Sequence, residues 1–156
     1  MTVATNNRQI DVQVEPLRRL HAALTVSSLF NEGRAEELAA FVHPDVRVLS
    51  VPGVAPGPGY TGREGLLRYF DDAAEHGLVV HAAISEVRVT EAGNVLASGS
   101  LLSTVRDVTS DVPAWFVYRF RDAMVSAIET YLDADTAREQ ACRPPADTTS
   151  VDWVAE

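Results

Sequence analysis

Apolar residues recur along the chain at two spacings, and the change from one to the other divides it. Pro16 suits a first helical position, and Leu17, Leu20 and Leu24 follow at helical spacing toward Leu29 and Phe30, where Asn31-Glu32-Gly33 stops the run. A short second helix carries Leu38, Phe41 and Val42 on one face. It ends at His43-Pro44, because a proline disfavours helical backbone in the residue before it. Asp45 opens a strand, Val46 to Val51. A third helix runs from Arg63 to about Glu75 on Leu66, Leu67, Phe70, Ala73 and Ala74, with Gly77 as its end.

Beyond Gly77 the period shortens to that of strands. Leu78 to Thr90 is rich in β-branched residues, and the turn cluster Glu91-Ala92-Gly93-Asn94 leads into a second long strand, Val95 to Val108. Trp115 to Phe120 is a third, turned at Arg121-Asp122-Ala123 into a fourth from Val125 to about Leu132, which Asp133 closes. Ala134 to Gln140 allow a helical turn before Pro144-Pro145 and a polar tail, which Trp153 either clips to the body or leaves apart. Pro52 to Gly59 hold three prolines and three glycines in eight residues. That stretch is a loop, and its prolines suit a semi-rigid lid. The pattern predicts a mobile arm over 1–14, one ordered domain over 15–141 and a polar tail over 142–156.

Composition narrows the partners. A chain of 156 residues, 46% hydrophobic and 22% charged, supports one packed core and is far from the signature of disorder. A net charge of −9 disfavours nucleic acid, which needs clustered cations to displace condensed counterions. No apolar run reaches the roughly 20 residues of a membrane span, and the polar start lacks the pattern of a signal peptide, so a cytoplasmic protein is expected. Cys142 is the only cysteine, which excludes an intrachain disulfide and a multi-cysteine metal site. No activating neighbour stands beside it, and it reads as an incidental thiol. No two-histidine metal spacing occurs, and Gly57-Pro58-Gly59 fails as a phosphate loop because proline lacks the N–H. Neither metal nor cofactor is expected.

Helices first and a meander of strands after them make an α+β domain: three N-terminal helices packed on a strongly curved, mainly antiparallel β-sheet. Four motifs fall in order on that frame. They are Phe30-Asn31-Glu32-Gly33-Arg34-Ala35-Glu36-Glu37-Leu38, then His43-Pro44-Asp45-Val46, then Tyr60-Thr61-Gly62-Arg63-Glu64-Gly65, and last Glu129-Thr130-Tyr131-Leu132-Asp133. With this order and spacing the chain resembles the nuclear-transport-factor-two-like superfamily and, within it, the SnoaL-like, polyketide-cyclase-like branch. The resemblance implies a cone-shaped barrel with one deep pocket for a hydrophobic small molecule, frequently in a homodimer. Its members include isomerases, dehydratases, cyclases and epoxide hydrolases, so the scaffold does not settle the function.

Residues two apart in a strand share a face, so Glu129, Tyr131 and Asp133 project together, opposite Ile128, Thr130 and Leu132. The resemblance puts the Asp133 face on the concave side, where cyclases and limonene-type epoxide hydrolases have an acid/base aspartate at the strand end. Walled by Phe70, Trp115, Phe116 and Tyr118, such a carboxyl would have its pKa raised toward neutrality. Asp133 is thus the first catalytic candidate, with helix capping as the other reading. His81 is the second, on a face with Ala83, Ser85, Val87 and Val89, either as a proton carrier or as a hydrogen-bonded wall residue.

Tyr131 and Glu129 are read as substrate-orienting groups, and Trp115, Tyr118 and Phe70 as pocket walls. Tyr60 follows the loop, to meet the ligand or to plug the cone. Ser98 and Ser100 belong to a strand of small residues that suits either close packing or a cavity wall. Glu129 and Asp133 stand roughly 13 Å apart in a strand, too far for a working carboxylate pair. His21, His43 and His76 read as structural or exposed.

The family's better-defined sites are incomplete. Epoxide hydrolases of this kind carry an Arg and a second Asp where this chain has Leu96, Ser98 and Ser100, and a Tyr and an Asn where it has Val48 and Ser50. Ketosteroid isomerases carry an aspartate base where Ser50 to Pro52 supply no carboxylate. The expected function is a cofactor-independent acid/base cyclase, isomerase or dehydratase of polyketide-like metabolism; the alternatives are a binding protein that sequesters a hydrophobic molecule and a dimeric interaction module with a filled cone.

Overall fold

The computed structural model describes the backbone of residues 3–50 and 59–144, with side chains from residue 14 onward. The lid stretch Pro52–Pro58 and the tail with Trp153 lie outside the described residues. Four helices and six strands follow the order α1 (Val3–Asn31), α2 (Ala35–Phe41), β1 (Arg47–Leu49), β2 (Gly59–Thr61), α3 (Gly62–Glu75), β3 (Leu78–Val89), β4 (Val95–Val105), β5 (Val108–Arg121), β6 (Met124–Tyr131) and α4 (Ala134–Ala141). The chain is α+β, as its periodicities predict. No helix among the described residues is long and apolar enough to cross a membrane.

The helix stops read from sequence have a backbone cause. Gly33 after α1 and Gly77 after α3 take φ of +70° and +64°, the left-handed conformation that ends a helix and that a side chain disfavours. The start of α1 differs from the expected one: helical backbone begins at Val3 and Pro16 lies within the helix. Apolar periodicity, the signal used, begins only at Leu17, so it could not mark the helix upstream.

The strands form one sheet in the order β2-β1-β6-β5-β4-β3, antiparallel throughout except for the parallel β1–β6 pair. Its two edge strands do not pair with each other, so the sheet curls without closing into the expected barrel. Edge strand β3 is instead fastened to α1: the Asn31 side-chain amide donates to the Ala82 carbonyl and its oxygen accepts from the Ala82 N–H, both at 2.8 Å. This amide stands in for a neighbouring strand and blunts the edge.

At its centre the sheet is covered on both faces. On the inner face Ala97, Leu101, Phe116 and Tyr118 pack with Ala23 and Val26 of α1, Leu38 of α2 and Leu66 of α3. On the outer face Leu96 and Val117 pack with Ala137 and Ala141 of α4, flanked by Trp115 and Tyr131. Gly99 is the small residue of β4 with a specific steric reason. A side chain there would strike the Ala83 carbonyl, next to the register shift between Ile84 and Glu86 of β3.

Two tight hairpins join β4 to β5 and β5 to β6. Their central residues, Arg106-Asp107 and Asp122-Ala123, all have positive φ without a glycine among them. Such primed turns match the strand twist but favour Gly or Asn. Ala123, at φ +65°, has no polar side chain to offset the strain. Replacing Ala123 with Gly is therefore expected to raise the unfolding free energy by up to about 1 kcal/mol, seen as a higher urea midpoint at constant slope. A lower midpoint would show that this turn is unstrained.

Candidate functional site

The inner face of the sheet and the two long helices leave a void between them. Val26 and Phe30 of α1, Tyr69 of α3, Val80 and Ala82 of β3, Phe116 of β5 and Ile128 of β6 supply most of its wall. About 50 Å³ is open to the centres of water-sized molecules, within about 550 Å³ of atom-free space that includes its mouth. One water needs roughly 10–15 Å³ on the first measure, so the void holds several waters or a small ring.

The polar groups on this wall are Ser27, Ser50, Tyr69, Tyr118 and Thr130, all of them hydroxyls. Neither a carboxylate, an imidazole nor a cation lines the void among the described residues. Burial pushes both tyrosine phenols well above their ordinary range, so they are neutral donors at physiological pH. Tyr118 is fully buried at the end of its side chain's reach and hydrogen-bonds Ser27. A cavity of this kind can solvate a polar atom of an apolar molecule. Its hydroxyls supply no general base near neutral pH.

Of the residues singled out from the sequence, Phe116 and Tyr118 line this void. Tyr60 and Phe70 stand one layer behind it. The Tyr60 ring meets Tyr69 edge-on at 5.4 Å, and Phe70 packs on Phe30 at 5.4 Å. The Tyr60 hydroxyl donates to Asp72 at 2.9 Å; burial, with that contact, pushes its pKa up to about 12.

The polar face of β6 lies on the other side of the sheet. Ile128 and Thr130 line the void, so Glu129 and Tyr131 project outward, the reverse of the orientation the resemblance implied. Glu129 is 2% exposed beneath α4. Arg119 of β5 donates to it from Nε at 2.6 Å and from Nη2 at 3.3 Å, and the Tyr131 hydroxyl donates at 2.8 Å. Arg119 also donates to the Gln140 carbonyl at 2.9 Å, while Thr90 and Asn94 donate to the Ala141 carbonyl at 2.8 and 2.9 Å. These donors satisfy carbonyls that the end of α4 leaves open.

Asp133 is exposed and caps α4, accepting from the Thr136 hydroxyl at 2.6 Å and the Thr136 N–H at 2.8 Å. The two bonds hold its carboxyl below the usual carboxylate range, the opposite direction from the one a proton donor near neutrality requires. His81 is exposed on the outer face and pairs with Leu102. The register shift in β3 separates it from Val87 and Val89, which pack inward. Ser100 also faces outward, because its neighbour Leu101 lines the void. Ser98 and Trp115 border an outer cleft of about 290 Å³ together with Glu86, Arg88 and Arg138.

Ser27, Ser50, Tyr69 and Thr130 are wall residues to which the sequence reading gave no ligand role. For Tyr69 a signal existed: Leu66, Tyr69 and Ala73 share the buried stripe of α3. Among the described residues no cluster of three or more His, Cys, Asp or Glu is placed to hold a metal.

Comparison with known proteins agrees with this architecture. The family model described as the SnoaL-like domain matches residues 23–128. Among curated proteins none matches the chain. Among solved structures, Bal32a from a soil-derived mobile gene cassette superposes with a TM-score of 0.65 at 18% identity, over 83% of this chain and 99% of that one. TerC co-crystallised with polyporic acid gives 0.62 at 19% identity, over 80% and 98%. RV0760c from Mycobacterium tuberculosis in complex with estradiol-17beta-hemisuccinate gives 0.61 at 21% identity, over 76% and 95%.

The buried ion pair under α4 makes a direct prediction. Arg119→Met strands the Glu129 carboxylate and is expected to lower the unfolding free energy by about 3 kcal/mol or more. Adding Glu129→Leu should recover most of that loss, since an apolar pair needs no counterion. Urea denaturation of the single and double variants measures both. A single variant as stable as the parent would show that the pair does not hold the outer layer.

Proposed function

Since the chain belongs to the SnoaL-like domain family, we propose that it is a binding protein, one that takes up a small apolar molecule in its cone without acid–base chemistry on it. The observation that carries this reading is the wall of the void: apolar side chains interrupted only by hydroxyls. A proton-transfer enzyme needs a group that titrates near its working pH within hydrogen-bond reach of the substrate. The two candidates for that work, Asp133 and His81, are exposed and absent from the wall of the void.

Apolar walls with a few polar groups are what small-molecule sites in general offer. Two structural neighbours were crystallised with organic ligands, polyporic acid in TerC and an estradiol hemisuccinate in RV0760c. Both facts support uptake of a small organic molecule here. They carry no reaction with them, because at these identities the likeness extends to the fold alone.

Binding of toluene, a neutral single-ring probe, tests the reading by calorimetry. Ala82 lines the void and is 9% exposed, so Ala82→Phe fills the space from the sheet side. That variant is expected to weaken toluene binding by at least about tenfold while keeping the fold, at the usual overpacking cost of about 1–3 kcal/mol. Binding that survives Ala82→Phe unchanged would place the ligand elsewhere.

The pH profile gives a second test. All the wall's polar groups are hydroxyls, and both phenols are raised in pKa, so toluene affinity is expected to be flat from about pH 5 to pH 9. On the alkaline side, stability should fall above about pH 10. There the unfolded chain's tyrosines ionise and the buried ones resist it. A binding midpoint between pH 4 and 7 would reveal a carboxylate or imidazole at the site and overturn the proposal.

A further inference from the structure

One hydroxyl on the wall of the void combines a rigidly held ring with the absence of a hydrogen-bond partner among the described residues. Tyr118 is tied to Ser27. The Tyr69 hydroxyl makes no hydrogen bond among the described residues, although the residue is only 3% exposed. Its oxygen keeps some accessible surface on the void, so a ligand atom there can reach it.

The Tyr69 ring is held on three sides. Its centroid lies 5.5 Å from Phe30, 5.4 Å from Tyr60 and 5.5 Å from Phe70, with the latter two edge-on. Leu66 and Ala73 bury the same stripe of α3 above and below it. A ring fixed in this way offers its O–H in one direction and gives up little side-chain freedom when a partner arrives. Burial also keeps the phenol protonated, so the group donates and does not bring a charge.

We infer, building on the reading of the void as a ligand site, that Tyr69 is its anchor and that the ligand is an uncharged molecule presenting a hydrogen-bond acceptor, such as a ketone or ester oxygen. The acceptor satisfies the Tyr69 hydroxyl, and the remainder of the molecule lies against Val26, Val80, Phe116 and Ile128. A carboxylate is disfavoured at the same place. No cation lines the void among the described residues, and an unpaired buried anion is far costlier than a satisfied neutral acceptor.

Three single-ring probes test this by calorimetry at neutral pH on the full chain and on Tyr69→Phe: acetophenone, ethylbenzene and benzoate. Tyr69→Phe keeps the ring contacts and removes a hydroxyl that bonds nothing, so its melting temperature should match or exceed that of the parent. Acetophenone is expected to bind roughly fivefold more weakly to Tyr69→Phe, the worth of one net hydrogen bond, while ethylbenzene binding stays the same or tightens. Benzoate should bind measurably to neither. In the parent chain alone, the carbonyl stretch of bound acetophenone should move to lower frequency than in an apolar solvent.

Equal weakening of both neutral probes, an unchanged acetophenone affinity or an unshifted carbonyl would each remove Tyr69 as the anchor and leave the ligand site standing. Benzoate binding as tight as acetophenone would overturn the uncharged ligand. Failure of both neutral probes to bind the parent chain would remove the ligand site itself, and the anchor with it.

Discussion

A sheet covered on both faces has no free side at its centre, and the rest of this structure follows from that. The buried side chains at the centre of β5 and β6 go either toward α1 and α3 or toward α4, and neither direction is water. Glu129 falls on the α4 side and becomes a buried charge. Arg119, diagonal to it on the adjacent strand, makes that tolerable, and the same guanidinium reaches the last turn of α4. The outer helix and the buried carboxylate therefore depend on each other. Without α4 the glutamate would be solvated and the arginine unnecessary. Without the arginine, neither could stay where it is.

Because the polar face of β6 is spent in this way, the inner face is left with Ile128 and Thr130, and the void acquires a wall without charge. The family match covers Arg119, Thr90 and Asn94 and ends at residue 128, one residue before Glu129 and short of α4.

The sequence carried the architecture further than it carried the site. Helical periods at Leu17 to Phe30 and Leu66 to Ala74, stops at Gly33 and Gly77, and the strand pattern after Leu78 all survive in the structure, because each is a local property of the backbone or of burial. What escaped depended on distant partners. A row of Glu, Tyr and Asp looks the same whether it faces a ligand or an arginine on the next strand, and only the register of β5 against β6 tells the two apart. The short strand β2 and the short helix α4, whose buried residues are Ala137 and Ala141, were too small to declare themselves as cover for anything. Tyr69 was visible on the buried stripe of α3, but its lack of a partner is a fact of three dimensions.

The parallel pairing of β1 with β6 has a consequence for how the molecule comes to exist. Between Arg47 and its partner Ala127 the chain contributes β2, α3 and most of the meander. The neighbouring hairpins close over a few residues, whereas this contact closes most of the domain and bears the greatest loss of chain entropy. Val48 on one strand and Ile128 on the other face the void from that seam. The container is thus a global property of the fold, assembled from segments far apart in sequence, and a fragment that lacks β1 or β6 loses part of its wall.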